Sequence, residues 1–180
     1  MSKIILGLAG EIVSGKGTTA KYICENHSGS SHRFSTMLRD VAKRMYLEEN
    51  RENLQKISTI FRENFFDDIL SSVIAKDVES DQHNVIAIDG VRRLADIEYL
   101  KKIPGFKLVY IETDIKKRFE RIISRGENSD DTTKTFEDFQ KDHEREAEKQ
   151  IKDLKNQAEY MIDNNGSLEE LYRQIDKLII

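Results

Sequence analysis

The sequence predicts an α/β fold in which a five-stranded parallel sheet is flanked by helices on both sides. Short apolar segments of strand type alternate along the chain with longer segments whose apolar residues recur every three to four positions. One of these segments, residues 85–88, is uninterrupted, which is typical of a parallel strand buried on both faces. A Gly-rich segment joins the first predicted strand to the first predicted helix. Ligands of such sheets bind at the carboxyl ends of the strands.

Predicted strands and helices alternate along the whole sequence. The strands are residues 4–9, 32–34, 85–89, 108–111 and 160–162. Helical spacing is found in residues 19–24, in a segment capped by Ser35, in 54–65, 69–74, 94–100 and 115–122, and in a last helix capped by Ser167. Residues 127–155 are densely charged with a narrow apolar stripe, which predicts an exposed arm or lid of about 126–156 within one domain of residues 1–180.

The loop after the first strand matches the pattern GxxxxGK and predicts a polyphosphate-binding P-loop, the Walker A motif. Its glycines let backbone N–H groups point at phosphate oxygens, and the following helix adds the positive end of its dipole. Lys16 then reaches the β and γ phosphates of a nucleotide, and Thr18 or Thr19 lies near Mg²⁺. The alternative is a Gly-rich turn with a chance lysine. The predicted nucleotide-binding residues of the loop are Gly10, Ser14, Gly15, Lys16, Gly17, Thr18 and Thr19.

Size and charge narrow the classes of function. A chain of 180 residues predicts a single domain with one substantial core. The net charge of −4 argues against a nucleic-acid backbone as the main partner. No apolar segment has the length of a membrane span, and the N-terminus lacks the pattern of a signal peptide, so we expect a cytoplasmic protein, monomeric or homodimeric. The single cysteine, Cys24, is expected to pack in the protein interior and to have no chemical role.

Charged groups at the predicted strand ends are candidates for chemistry. Asp89 closes a buried strand, where a P-loop enzyme keeps the carboxylate that orders Mg²⁺, although a turn-forming Asp is the alternative. Arg92 and Arg93 follow it and could clamp an acceptor phosphate with paired N–H groups. Arg118, Arg121 and Arg125 lie close on one helix. They could share an anionic ligand or pair with nearby carboxylates.

These motifs together resemble the nucleoside monophosphate kinases, the P-loop family of adenylate and cytidylate kinases. The segment Gly15-Lys16-Gly17-Thr18 has the glycine after the lysine that those enzymes use, and residues 34–39 resemble their acceptor-binding segment. Residues 89–93 are similar to their Asp-Gly-Phe-Pro-Arg, and residues 121–125 resemble the arginine pair that begins their mobile lid. The resemblance implies ATP and Mg²⁺, with one arginine of the pair Arg121 and Arg125 over the adenine and the other on phosphate. It also implies that the acceptor is held by Thr36, Arg39, Arg92 or Arg93, and the lid residue Arg145.

Two narrower resemblances leave the acceptor open. Residues 54–62 resemble phage-type deoxynucleoside monophosphate kinases, and we expect Arg62 to help hold the acceptor phosphate. Residues 158–170 resemble dephospho-CoA kinase and imply that backbone near Asn165 and Gly166 reads the adenine. Dephospho-CoA would present a ribose hydroxyl, and a nearby base would help by taking its proton. A nucleoside monophosphate presents a phosphate oxygen that is already largely deprotonated, so the site needs only to hold it in place and neutralise its charge. The segment after the second strand suits phosphate, so we favour a monophosphate, with dephospho-CoA and a slowly hydrolysing ATP-dependent switch as alternatives.

Overall fold

The parallel sheet has five strands in the described part of the chain. The computed structural model of the protein describes residues 3–125, 135–142 and 146–179. The strands are β1 (Ile4–Ala9), β2 (Ser30–Arg33), β3 (Val85–Val91), β4 (Phe106–Glu112) and β5 (Tyr160–Asp163). They pair in the order β2-β3-β1-β4-β5, and every neighbouring pair is parallel. The predicted fold class is confirmed.

Helices cover both faces of this sheet. They are α1 (Lys16–Asn26), α2 (Phe34–Arg44), α3 (Arg51–Asn64), α4 (Ile69–Ser80), α5 (Ile115–Arg125), α6 (Phe136–Asp142), α7 (Glu146–Gln157) and α8 (Leu168–Ile179). Two 3₁₀ turns, Leu94–Ile97 and Leu100–Lys102, stand between β3 and β4. In the ranges the structure describes, no helix combines the length and the apolar character needed to cross a bilayer.

The central strands alternate their side chains between two apolar layers. Ile5 of β1 belongs to a core built with α2, α3, α4 and α7, whereas Leu6 belongs to a second core built with α1 and α8. Both side chains are almost fully buried, as expected for a strand that is covered on both faces. The sheet is therefore a rigid platform whose strand ends carry the polar loops.

Two predicted helix starts have different outcomes. Helix α8 begins as predicted at Ser167, whose backbone N–H donates to Glu170 at 2.9 Å while its Oγ accepts from the Glu170 N–H at 3.3 Å. This reciprocal pair is a capping box. The prediction for Ser35 is wrong, because α2 already begins at Phe34 and its N-cap is Arg33. The predicted helix over 94–100 is also wrong in kind, since the chain forms two 3₁₀ turns there.

The interpretation of residues 127–155 as an exposed arm is wrong for α7. Ile151 and Leu154 are buried in the core layer that contains Ile5, because the narrow apolar stripe of α7 packs against the sheet. Phe139 of α6 is likewise fully buried. The remaining part of the predicted lid, residues 126–134 and 143–145, lies outside the described residues, and so do Arg145 and the side chain of Arg125.

Candidate phosphate-binding site

The carboxyl ends of the strands meet at one edge of the sheet. Leu8 pairs with Asp89, Asp89 pairs with Arg33 on its other side, and Glu112 pairs with Asp163. The loop after β1 therefore lies between the ends of β3 and β4. This is the location that the strand-end rule predicts for a ligand.

The backbone of the loop after β1 requires glycine at two positions. Gly10 has φ 144°, and a Cβ there would lie 2.5 Å from the carbonyl oxygen of Ile111. Gly15 has φ 109° at the N-cap of α1, and a Cβ there would collide with Nδ2 of Asn164. Both the dihedral angle and the space exclude a side chain. These constraints shape the loop into the tight turn that a phosphate cradle needs.

Lys16 is the first residue of α1 and its ammonium group folds back over the loop. Its Nζ donates to the carbonyl oxygens of Gly10 at 2.6 Å and Glu11 at 2.8 Å. The first turn of α1 contains no acidic residue, so the positive end of its dipole is not neutralised by its own helix. A cation and a helix N-terminus thus face the same loop, which is an arrangement that favours polyphosphate.

The far side of the loop is fixed by residues from β4 and β5. The carbonyl oxygen of Ser14 accepts hydrogen bonds from Thr113 Oγ1 at 2.9 Å and from Asn164 Nδ2 at 2.7 Å. The Asn164 carbonyl oxygen in turn accepts from Arg121 Nη2 at 3.0 Å. Burial lowers the pKa of the Arg121 guanidinium from its usual value. Arg121, predicted to contact the nucleotide, is therefore bound to the residue that holds the loop.

Arg118 fixes the outer part of the loop. Its side chain is almost fully buried; Nη2 pairs with the Glu11 carboxylate at 2.9 Å and Nε donates to the Thr113 carbonyl oxygen at 3.0 Å. Its guanidinium carbon also lies 5.7 Å from the centre of the Phe139 ring. The arginines of α5 were predicted either to share an anionic ligand or to pair with carboxylates. Arg118 pairs with a carboxylate, and that carboxylate belongs to the loop itself.

Asp89 forms an ion pair across the sheet edge. Its Oδ2 lies 2.8 Å from Nη2 of Arg33, the last residue of β2. The Asp89 side chain is 11% exposed and the Arg33 side chain is 55% exposed, so the carboxylate is covered and the arginine side chain is open to solvent. The same Nη2 is 3.6 Å from where a Cβ on Gly17 would be. Arg33 thus stands between the start of α1 and the carboxylate predicted to order the metal.

Arg62 supports the segment after β3. Its Nη2 lies 2.6 Å from Asp96 Oδ1, and both side chains are at least nine-tenths buried. Asp96 Oδ2 accepts the backbone N–H groups of Arg92 at 2.9 Å and Arg93 at 3.0 Å. Arg62 also donates to the carbonyl oxygen of Asp67. The guanidinium predicted to bind the acceptor therefore holds the strand-end segment that carries the two other arginines.

The remaining predicted acceptor residues lie on α2 and on the segment after β3. Thr36 is exposed in the first turn of α2, and Arg39 is half-buried, with Nη1 3.2 Å from the carbonyl oxygen of Glu49. Arg92 is exposed and Arg93 is half-buried. Their roles toward an acceptor stay predictions.

The predicted adenine-binding turn follows β5. Asn165 Oδ1 accepts the backbone N–H of Asp114 at 2.8 Å, so this turn is joined to the segment after β4. A Cβ on Gly166 would collide with the Glu170 carboxylate that caps α8. The turn is thus held on both sides. Backbone groups of Asn165 and Gly166 as adenine contacts stay a prediction.

Comparison with known proteins places the chain in a family. The family model of the AAA domain matches residues 7–140, which contain the phosphate-binding loop and the ends of β1, β3 and β4. The chain belongs to this AAA-domain family. It is 28% identical over 177 residues to the UPF0200 protein of Hyperthermus butylicus, covering 98% of this chain and 94% of that protein. It is 28% identical over 184 residues to a UPF0200 protein of Thermococcus kodakarensis, covering 99% and 96%.

Solved structures share the fold of this AAA-domain chain. The shikimate kinase of Bacteroides thetaiotaomicron has a TM-score of 0.63 at 14% identity and covers 97% of this chain and 96% of its own. The shikimate kinase of Aquifex aeolicus has a TM-score of 0.57 at 16% identity and covers 98% and 96%. At these identities the likeness shows the fold, which is the P-loop kinase-like α/β fold that the sequence predicts.

The residues of the loop fit a nucleotide polyphosphate with its magnesium ion. Within the described residues, the buried hydroxyls of Ser14 and Thr19 have no hydrogen-bond partner, and a buried hydroxyl needs one. Thr18 is exposed at the same helix start. In the described ranges no three His, Cys, Asp or Glu side chains could hold a metal by themselves. Mg²⁺ is commonly bound through one or two protein groups and substrate phosphates, and Thr18 and Asp89 would supply these groups.

Four residues that fix the site were absent from the sequence-based set. Thr113, Asn164 and Glu11 hold the loop or its arginine, and Arg33 pairs with Asp89. The strand-end rule places Thr113 and Asn164 at this edge and could have added Arg33, because each closes or directly follows a strand, but it does not give the partner that each one holds. Glu11 carries no such signal, since its partner Arg118 is more than 100 residues away in the chain.

Proposed function

We propose that this AAA-domain protein is an ATP-dependent kinase that transfers the γ-phosphate to a nucleoside or deoxynucleoside monophosphate. The observation that carries the proposal is the position of Lys16, whose ammonium group is held over a glycine-shaped loop by two carbonyl oxygens. The carboxylate of Asp89 stands at the end of the neighbouring strand. The shikimate kinases with this fold phosphorylate a small molecule, as their name states, and this adds support for a small acceptor.

The donor side follows from the loop. Backbone N–H groups of residues 10–19 and the start of α1 bind the phosphates, and Lys16 exchanges its carbonyl partners for the terminal phosphate oxygens. Bound Mg²⁺ would neutralise charge on those oxygens. Thr18 and Asp89 orient the metal's ligands, while Arg121, held at Asn164, lies toward the adenine end.

The acceptor side calls for positively charged groups and no base. The second pKa of a phosphate monoester is about 6, so the acceptor oxygen is largely deprotonated at neutral pH. That oxygen attacks the γ-phosphorus, the bond to the β,γ-bridging oxygen breaks, and its electron pair leaves with ADP. Arg39, Arg92 or Arg93 place the acceptor, and Arg62 keeps the segment of Arg92 and Arg93 in position through Asp96.

Dephospho-CoA is the first alternative acceptor, and the structure favours the monophosphate over it. A ribose hydroxyl needs a carboxylate oxygen in hydrogen-bond reach to take its proton. Asp89 is the carboxylate at the cleft, and its Oδ2 is engaged by Arg33 at 2.8 Å. A second alternative is a switch that hydrolyses ATP slowly without forming a phosphorylated small product.

A coupled assay distinguishes these functions. The full-length protein with ATP and Mg²⁺ is tested against ribo- and deoxynucleoside monophosphates and dephospho-CoA, with ADP and the phosphorylated product both quantified. We expect transfer to at least one monophosphate, with hydrolysis much slower. ATP hydrolysis without a phosphorylated product would support the switch and overturn the kinase.

Lys16→Ala is the decisive variant of this assay. We expect it to abolish transfer while leaving the far-UV circular dichroism unchanged, because Lys16 is half-buried and its ammonium group donates to two carbonyl oxygens of the loop. Lys116→Ala, an exposed lysine on α5, is the matched control. Comparable transfer by Lys16→Ala would remove the loop from the mechanism. Arg92→Ala and Arg93→Ala should raise the acceptor KM more than the ATP KM.

A further inference from the structure

We infer that Arg33 is a further catalytic residue of this site, and that its guanidinium contacts the phosphoryl group during transfer. The inference rests on the proposed function and adds to it the cation that stabilises the transferred group. Arg33 lies outside the loop, outside α2 and outside the segment after β3. It is the final residue of the edge strand β2.

The position of Arg33 is set by the sheet. Arg33 is paired in register with Asp89, so its backbone is fixed at the same level of the sheet edge as the carboxylate. Its Nη2 is 2.8 Å from Asp89 Oδ2 and 3.6 Å from the space where Gly17 lacks a Cβ. The guanidinium is therefore within reach of the start of α1, which faces the terminal phosphates in the proposed donor mode.

The next residues place Arg33 toward the acceptor as well. Phe34 follows directly and begins α2, the helix that carries Thr36 and Arg39. The Arg33 backbone thus adjoins the helix that carries the predicted acceptor residues, while its guanidinium reaches the start of α1. A group that neutralises both phosphates at the moment of transfer must lie at this boundary.

The exposure of the pair fits a contact with substrate. The Asp89 side chain is 11% exposed, whereas the Arg33 side chain is 55% exposed, so part of the Arg33 side chain is open to solvent and to a ligand. A guanidinium has five N–H donors in a planar fork, and a pair made through Nη2 leaves donors directed elsewhere. Arg33 can keep Asp89 and still donate to a phosphate oxygen.

The chemistry explains why a cation belongs here. As the acceptor oxygen attacks the γ-phosphorus and the bond to the bridging oxygen breaks, negative charge spreads over the equatorial oxygens and the leaving ADP. Asp89 lies next to that charge and would repel it. Arg33 offsets the carboxylate and supplies N–H donors to the transferred group, while Asp89 holds the fork in orientation.

A purely structural role for the ion pair predicts other results. The pair could serve only to join β2 to β3, but the two strands are already hydrogen-bonded over four paired positions. The Asp89 side chain is 11% exposed, so Arg33→Ala leaves a largely buried carboxylate without this partner and should lower the thermal unfolding midpoint in either case. A purely structural role predicts that transfer falls only as far as folding does, whereas the catalytic role predicts a large loss of transfer at temperatures where the variant is fully folded.

The test compares Arg33→Ala and Arg33→Lys in the full-length protein, with Arg173→Ala, an exposed arginine of α8, as the matched control. We expect Arg33→Ala to lower kcat by about 10²- to 10³-fold with the best monophosphate of the panel. The Kd for adenylyl imidodiphosphate with Mg²⁺ should stay within about twofold. Arg33→Lys should recover part of the rate because it restores the charge without the fork.

Two further measurements separate catalysis from packing. Added guanidinium chloride at millimolar concentration should restore part of the rate of Arg33→Ala and leave that of the wild type unchanged. Aluminium fluoride mimics the transferred phosphoryl group; we expect it to tighten Mg·ADP binding to the wild type in the presence of the acceptor, and much less to Arg33→Ala. This second readout measures binding and is independent of turnover.

Each outcome decides the inference. A kcat of Arg33→Ala within about threefold of an active wild type would overturn the role of Arg33 and leave the kinase intact. Equal losses in kcat, in nucleotide affinity and in thermal stability would assign Arg33 to structure and also overturn it. A wild type that phosphorylates no acceptor would overturn the proposed function, and this inference with it.

Discussion

Replacing Asp96 with alanine should destabilise the protein strongly, because three donors lose one buried acceptor. Its Oδ1 pairs with Arg62 at 2.6 Å, and its Oδ2 accepts the backbone N–H groups of Arg92 and Arg93. The Asp96 and Arg62 side chains are 4% and 8% exposed. Asp96→Ala therefore leaves the buried Arg62 guanidinium with the exposed Asp67 carboxylate at 3.6 Å and removes the acceptor of two backbone amides.

The structure gives the magnitude. Breaking a buried ion pair by removing one partner costs about 3–5 kcal/mol, because a buried charge is left uncompensated. A domain with a free energy of unfolding of about 5–15 kcal/mol would lose about a fifth of it or more. At a urea m-value of about 2 kcal/mol per M, the midpoint of unfolding should fall by about 2 M. Asp96→Asn keeps an oxygen for the amides and should lose less.

Urea unfolding followed by circular dichroism checks this prediction. The control is Glu52→Gln, which removes an exposed pair with Lys56 at the same 2.6 Å separation. Because the two pairs differ in burial and not in distance, the control midpoint should hardly move. A shift of the Asp96→Ala midpoint no larger than that of Glu52→Gln would refute the reasoning. In the coupled assay, Asp96→Ala should also raise the acceptor KM, since Arg92 and Arg93 lose their anchor.

Two further predictions concern acid stability and the loop. Partial burial raises the pKa of Asp81, but hydrogen bonds from Ser30, from the backbone and ring of His83 and from His32 outweigh it and hold that pKa well below its ordinary value of 3.8. The ionised Asp81 therefore stabilises the fold above about pH 4, and this stabilisation is lost as the pH falls towards the folded-state pKa. Unfolding midpoints measured from pH 6 to pH 2 should fall less steeply for Asp81→Asn than for the wild type. Parallel curves for the two proteins would contradict this. Gly15→Ala should weaken adenylyl imidodiphosphate binding by at least tenfold in calorimetry, because φ 109° and the contact with Asn164 exclude a Cβ; unchanged affinity would exclude the cradle.

Much of the fold could be predicted because its strands carry local signals. Residues 85–89 form an apolar run that reads as a buried strand without knowledge of any partner, and β3 occupies Val85–Val91. The capping box at Ser167 is local too. By contrast, the burial of α7 depends on the sheet face that its narrow stripe meets, and periodicity alone does not show this. The prediction of Ser35 as an N-cap was wrong because the N-cap lies where the chain turns from strand to helix, and that turn occurs at Arg33, the last residue of β2.

The site divides in the same way. The loop, Lys16 and Asp89 follow from motif and strand-end position, whereas the pairs that fix them join distant parts of the chain. Arg118 reaches Glu11 and Arg33 reaches Asp89 only once the strands are in register. The sequence reveals which residues could carry charge at the sheet edge, but tertiary structure determines which of them neutralise each other.

The hydrogen bond from Asn164 to the Ser14 carbonyl oxygen spans 150 residues of chain. A ribosome must therefore synthesise the chain at least through β5 before its nucleotide cradle can close, and early fragments that already contain the glycine motif should not retain ATP. Nucleotide affinity then reports completed folding. A fragment ending before β5 that bound adenylyl imidodiphosphate as tightly as the full chain would show that the cradle matures without its last strand.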